Sequence, residues 1–357
     1  MLLSELNPGQ RFLLFLGKNW VVFFLLFLCV LFSFTGTGFL SPKTLNNILI
    51  TSSPALLLAA GETFVIITGG IDLSVGFVMG LCCVISAKIM VTLQALGLSS
   101  VTCIAVGAGG TLLLGLLPGL VNGILVAKFR VPPFIATLGI YGVANGFALR
   151  LSQGFPITFL PPEVGEIGNG FVAYFLPGKG YSFFKRPAGM LPEDMRNLIG
   201  VVPFAFLIAL LFILIFAFIL SRTPFGQHTY AIGGNIDAAR RAGIPVDRHL
   251  IKVYMISSFF ASLSGVLATL IFSIGAPTQF ASSLELFAVA AVVIGGASLM
   301  GGKGSMLGTF LGVLVLSVLE IGFLMSGILP FYRYVAVGVT LIIAVLIDQS
   351  FPELVYD

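Results

Sequence analysis

Charge is what this sequence has little of. Only 9% of its 357 residues are Asp, Glu, Lys or Arg, against roughly 25% in an ordinary soluble domain. Hydrophobic residues make up 58%, and the mean hydropathy is +1.10. A soluble globular enzyme is thereby excluded, and the composition is that of an integral membrane protein. The formal charge of +4 is too small to argue for nucleic acid. Histidine is almost absent: His228 and His249 both fall in one basic stretch, H-E-x-x-H does not occur, and a zinc site is not expected. The four cysteines, Cys29, Cys82, Cys83 and Cys103, each sit inside an apolar run. They read as small core residues rather than disulfide partners or metal ligands, and say little about compartment. The nearest approach to a nucleotide-binding P-loop, A-S-L-M-G-G-K-G ending at Gly304, lacks the leading glycine and the hydroxyl that would ligate magnesium. The chain therefore does not bind ATP by that route. G-x-S-x-G is missing, and an S-x-x-K match from Ser182 to Lys185 stands without its companion motifs. No catalytic residue, metal or cofactor is expected, and the chain does not read as an enzyme.

Long apolar runs, by contrast, are abundant. After Arg11 and Lys18 the run Trp20 to Phe34 resembles a signal peptide in layout but has no convincing small-residue cleavage site, and it reads as an uncleaved first span. Runs of spanning length follow at about 51–68, 73–94, 99–126, 132–150, 199–220, 250–271, 284–300, 305–326 and 331–347. The expected fold is all-α: one polytopic transmembrane domain over 1–357, with about ten transmembrane helices. The 43 glycines and 18 prolines fit helices that are broken and closely packed, since neighbours in a membrane bundle re-satisfy the freed backbone.

With ten spans and a cytoplasmic N-terminus, both termini lie in the cytoplasm. Lys128, Arg130, Arg222, Arg240, Arg241, Arg248 and Lys303 then fall on the cytoplasmic side, as the positive-inside tendency asks. Residues 152–197 form an extracytoplasmic insertion rich in Pro and Gly, which suggests irregular structure or a short helix on the outer face. It reads as a solvated loop, with a docking surface for an external partner as the alternative.

The stretch Ser221 to Lys252 is a polar, basic interruption. Asn235 can cap a short helix there, with Asp237 in its first turn, Arg240 and Arg241 in its last, Gly243 just past the end and Pro245 beyond. A helix of about two turns is not stable alone in water, so it must form against another surface.

Two glycine-rich breaks resemble each other: V-I-I-T-G-G-I-D-L-S-V-G from Val65 to Gly76, and V-V-I-G-G-A-S-L-M-G-G-K-G from Val292 to Gly304. The helix-break glycines are Gly69, Gly70 and Gly76 in the first, and Gly295, Gly296, Gly301 and Gly302 in the second. Both breaks face the same way in the ten-span topology, so a parallel internal repeat is conceivable. Asp72 and Glu62 are acids in apolar surroundings, and an acid at a helix break reads as an ion site, a hydroxyl acceptor or the cap of the next helix. Glu285 and Glu320 join that group. Thr68, Ser74, Asn122, Asn145 and Ser298 are uncharged groups that would either meet a polar solute or bridge helices.

Four segments carry a family resemblance: I-T-G-G-I-D-L-S-V-G (67–76), V-N-G-I-L-V-A-K-F-R-V-P-P-F-I-A-T-L-G (121–139), T-P-F-G-Q-H-T-Y-A-I-G-G-N-I-D-A-A-R-R-A-G-I (223–244) and V-I-G-G-A-S-L-M-G-G-K-G (293–304). In this order they are similar to the membrane permease subunits of bacterial ABC importers for simple sugars, the ribose, galactoside and xylose group, related to the branched-chain amino-acid permeases. The similarity runs from about Leu45 to Asp348. The 152–197 insertion is longer than the ribose-type pattern.

The resemblance implies a bacterial inner-membrane subunit that forms the pathway with a second permease chain, as a homodimer or heterodimer. It implies a cytoplasmic ATPase, an extracytoplasmic solute-binding protein, a small-molecule substrate and membrane lipid as partners. Residues 221–252 would be the ATPase-coupling loop, with Gly233, Gly234, Asn235, Asp237, Ala239, Arg240, Arg241 and Gly243 at the contact. The glycines would allow tight turns and the arginines would pair with acidic groups on the partner. Glu62, Thr68, Asp72, Ser74, Asn122, Asn145 and Ser298 are the candidate pathway residues. A proton- or sodium-coupled secondary transporter is the alternative, with Asp72 or Glu62 as coupling acid; nucleosides and autoinducer furanones are alternative substrates.

Overall fold

The computed structural model describes residues 17, 19–178, 180–187, 194, 197–277, 283–329 and 331–350. Each of the ten expected spans falls on a helix: α1 (Trp20–Thr35), α2 (Pro42–Ile67), α3 (Val75–Ala95), α4 and α5 (Ser100–Leu114 and Leu116–Ala127), α6 (Pro133–Ser152), α8 (Phe204–Arg222), α11 (Val246–Phe272), α12 (Leu284–Ile294), α13 (Met306–Met325) and α14 (Tyr332–Ser350). Among the described residues, seven spans are long and apolar enough to cross a membrane: α2, α3, α4 with α5, α6, α8, α11 and α13. At 16 and 11 residues, α1 and α12 are shorter. Rising about 1.5 Å per residue, α12 covers roughly half of a hydrocarbon core of about 30 Å.

Local chemistry sets the boundaries. Ser41 caps α2 by accepting from the Thr44 amide at 3.2 Å, with Pro42 in the first turn where its missing N–H costs nothing. Ser305 caps α13 through the Gly308 amide. The expected run 284–300 stops early because Gly295 ends α12 and Gly296 turns the chain at φ +88°. The expected span 99–126 is two helices, since Pro118 has no N–H to give to residue 114. Serines of α11 dock on carbonyls beside this break: Ser262 donates to Thr111 O at 3.0 Å, which also accepts the Gly115 amide, and Ser258 donates to Gly115 O at 2.7 Å.

Helix α11 is the spine, packed along α2, α3 and α5. It approaches α5 over a glycine seam, because a methyl on Gly119 would lie 2.3 Å from Tyr254 O and one on Gly123 would lie 2.7 Å from Ile251 Cα. Such small-residue seams supply packing where lipid removes the hydrophobic drive between helices. Helices α2, α3 and α11 are mostly buried within the chain, whereas α4 with α5, α6 and α8 expose most of their surface.

The 152–197 insertion departs from the all-α expectation. It holds a short helix, α7 (Glu163–Gly168), and strands β1 (Phe171–Leu176) and β2 (Gly180–Phe183), which join β3 (Ile199–Pro203) in an antiparallel sheet of order β2-β1-β3. The aromatic and β-branched residues in F-V-A-Y-F-L suit a strand once the sheet can rest on helix ends. Asn46 of α2 ties the sheet down by donating to Gly200 O at 2.7 Å, and Asn169 donates to Ile271 O at 2.7 Å. The sheet therefore marks one end of the bundle. At the other end lie α9 (Pro224–Gly234) and α10 (Ile236–Arg241).

Candidate functional site

Most of the 221–252 loop is helix. Thr223 caps α9, Asn235 accepts from the Ala238 amide at 2.9 Å to start α10, and Gly243 ends it at φ +83°. Asp237 lies in the first turn of α10, Arg240 and Arg241 in the last. The surface α10 folds against is its own chain: Ala239 is buried with Ala127, Ile232, Val246 and Leu250. His249, one of the two histidines of the basic stretch, is buried in α11, where Nε2 meets Thr229 Oγ1 at 2.9 Å and the ring packs on Phe225. Arg240 pairs with Asp247 of this chain at 3.1 Å, both about half exposed, and Arg241 Nε donates to Asp237 O. Neither arginine waits unengaged for a partner.

Gly233 and Gly234 do not make a turn, because both are helical residues at the end of α9. Their role is close approach. A methyl on Gly233 would lie 1.7 Å from Ile67 O and 2.5 Å from Gly302 N; one on Gly301 would lie 2.9 Å from Gly233 O and 3.0 Å from Gly69 N. The Gly302 amide donates to Ile67 O at 2.8 Å, and Tyr230 Oη donates to Gly304 O at 2.8 Å. Three segments that are far apart in sequence thus meet backbone to backbone: the break after α2, the end of α9 and the break after α12. Gly69, Gly296, Gly301 and Gly302 adopt positive φ. Gly76 does not belong with them, since it lies within the first turn of α3.

Next to this junction is a buried polar knot. Glu62 Oε1 accepts the Asp72 amide at 3.0 Å. Asp72 Oδ1 accepts from the Ser74 amide at 3.0 Å and the Ser74 hydroxyl at 2.5 Å, while Oδ2 accepts from Ser257 Oγ at 2.9 Å. Asn122 Nδ2 donates to Ser74 Oγ at 3.0 Å. Asp72 thus fastens the break to the spine helix and caps the turn entering α3, whose N-cap is Ser74. Glu62 Oε2, Asn122 Oδ1 and Tyr254 Oη are buried with no hydrogen-bond partner among the described residues. A cavity of about 250 Å³ opens beside the knot, lined by Thr68, Gly69, Gly70, Arg130, Ile236, Arg240, Asp247 and Tyr254 among others.

Of the candidate pathway residues, Glu62, Asp72, Ser74 and Asn122 come together and Thr68 borders the cavity. Asn145 is half-buried in α6, its Oδ1 has no hydrogen-bond partner among the described residues, and it makes no polar contact with the knot. Ser298 is spent inside its own loop, accepting from the Met300 amide at 3.3 Å. Glu285, in the first turn of α12, is buried, and its Oε2 has no hydrogen-bond partner among the described residues. The sequence reading passed over Tyr230, Tyr254 and Ser257. For Ser257 a signal existed, because Ser257, Ser258, Ser262 and Ser264 crowd into an otherwise apolar span.

Residues 44–345 match the family model described as branched-chain amino acid transport system / permease component. The chain is 35% identical to a ribose import permease protein of Bacillus subtilis, with 91% of each chain covered. It is 34% identical to a probable ABC transporter permease protein of Sinorhizobium fredii, covering 85% of this chain and 80% of the relative. It is 30% identical to a galactose/methyl galactoside import permease protein of Escherichia coli, covering 97% and 98%. No solved structure matches. The chain belongs to the branched-chain amino acid transport system / permease component family, as a multi-pass membrane permease subunit of the ABC-importer class.

Proposed function

We propose that this chain is one of two permease chains forming the translocation pathway for a simple sugar or related small polar solute, in a bacterial cytoplasmic membrane with both termini inside. Separate ATPase subunits dock at α10, and an extracytoplasmic binding protein delivers solute at the sheet end. The relatives named for ribose and galactose support the substrate class. The observation that carries the mechanism is the contact of Gly233 with both Ile67 and Gly302. Displacement of α9 and α10 by an ATPase is transmitted at once to the break between α2 and α3 and the break between α12 and α13. No flexible side chain lies between to absorb it. The coupled tilt of those helices would change the face to which the pathway opens.

The secondary-transport reading loses support from Asp72, whose two oxygens already accept three hydrogen bonds from this chain. The test is reconstitution with the cognate ATPase and binding protein. ATP hydrolysis and solute uptake should be coupled, and the Arg240→Glu/Arg241→Glu double variant should insert normally yet lose both coupling and uptake. Uptake by the chain alone that collapses with an ionophore would overturn the assignment. Thermal-shift screening of the binding protein against pentoses, hexoses, nucleosides and furanones identifies the solute.

A further inference from the structure

The exposed face of α8 carries one stripe. Helical spacing aligns Phe204, Leu207, Leu211, Leu214 and Phe218, of which the last four are between 37% and 62% exposed. In a spanning helix such a stripe faces lipid. Phe204 is the first residue of α8, so it stands at the sheet-end boundary of the hydrocarbon, because 19 residues rise about 28 Å. The ring of Phe184 stacks on Phe204, with centroids 6.3 Å apart and planes 10° apart. Phe184 also holds φ +61°, a region bulky residues rarely adopt, while its amide donates to Val172 O at 2.9 Å. The lipid-facing stripe therefore continues onto the edge of the sheet. That edge presents Tyr181, Phe183 and Phe184, all at least 65% exposed, followed by exposed Lys185 and Arg186.

We propose that the β2 edge of the sheet is a membrane-interface anchor, with its aromatic rings at headgroup level and Lys185 and Arg186 reaching lipid phosphates. Aromatic rings with one apolar and one wet side favour this depth, and basic side chains there gain from anionic lipid. The anchor fixes the height of the sheet above the pathway, whichever solute is carried.

The chain has one tryptophan, so Trp20→Phe leaves a silent background in which Phe184→Trp, or separately Phe183→Trp, reports the site. In vesicles of phosphatidylcholine and phosphatidylglycerol, the reporter should be quenched by nitroxide placed at headgroup level, less by nitroxide at the chain ends, and only weakly by aqueous iodide. Strong iodide quenching without lipid quenching, at both positions and with helical circular dichroism retained, overturns the proposal. So does an emission that ignores lipid nitroxide and shifts only when the solute-binding protein is added, which would make the edge a protein dock. The Lys185→Glu/Arg186→Glu variant should lose any rise in melting temperature that phosphatidylglycerol confers. An undiminished rise removes the phosphate contact.

Discussion

The two glycine breaks read alike in sequence and are built differently. The break after α2 is fastened by side chains: Asp72 is held by Ser257 of α11 and Ser74, and Asn122 of α5 extends the knot. The break after α12 is fastened through its own backbone groups, the Gly302 amide donating to Ile67 O and Gly304 O accepting from the Tyr230 hydroxyl. One break is tied to the spine of the bundle. The other is tied to the segment proposed to receive the ATPase. The difference teaches that a shared glycine pattern specifies close approach and leaves the mechanical role to the polar residues around it.

The largest effect should come from closing the space between them. Gly233→Ala places a methyl 1.7 Å from Ile67 O, a backbone atom that cannot swing aside. Overpacking of this kind costs about 3 kcal/mol or more. Loss of thermal stability together with loss of uptake is expected, whereas Gly234→Ala, with nothing within 4 Å of its added methyl, should be mild. Equal behaviour of the two variants would break the idea that Gly233 is the joint.

Next comes the side-chain fastening. Asp72→Ala strands the Ser257 hydroxyl and the Ser74 donors in a buried site, at a cost of about 2–3 kcal/mol. Asp72→Asn keeps an acceptor for Ser74 and should cost about 1 kcal/mol. Both variants should keep coupling to the ATPase in whatever fraction folds. If Asp72→Asn instead abolishes uptake at normal stability, Asp72 serves transport chemistry and the division between the two breaks fails.

Sequence reasoning reaches the parts of this fold that are local. The cap at Asn235, the stop at Gly243 and the breaks at Gly69 and Gly296 follow from the conformational chemistry of single residues. The knot was half legible: Asp72 and Glu62 stand out as acids in hydrocarbon, but their partner Ser257 lies 185 residues from Asp72. The meeting of Gly233 with Gly301 was not legible at all, since a contact made by the absence of side chains leaves no complementary residue to find. The sheet was missed for another reason: strands of four to six residues without polar/apolar alternation, in a Pro- and Gly-rich insertion, carry too little periodic signal to compete with a loop.

The Tyr230 contact sharpens the comparison further. Tyr230→Phe removes the single hydroxyl that links α9 to Gly304 O, at about 1 kcal/mol. Because that bond lies on the transmitting path, hydrolysis should continue while solute moved per ATP falls, measured as uptake against phosphate release in proteoliposomes. An unchanged ratio would leave the junction resting on Gly233 alone.

The smallest effect is expected at Ser298, and it tests the second break directly. Among the described residues its hydroxyl accepts only the Met300 amide, at 3.3 Å and within its own loop, so Ser298→Ala should cost about 0.5 kcal/mol. Uptake should keep the same KM and maximal rate, because the Gly302 amide bond to Ile67 O and the Tyr230 hydroxyl bond to Gly304 O remain. A raised KM at unchanged stability would mean that the Ser298 hydroxyl meets solute during the cycle. The break after α12 would then be part of the pathway wall as well as the part that moves.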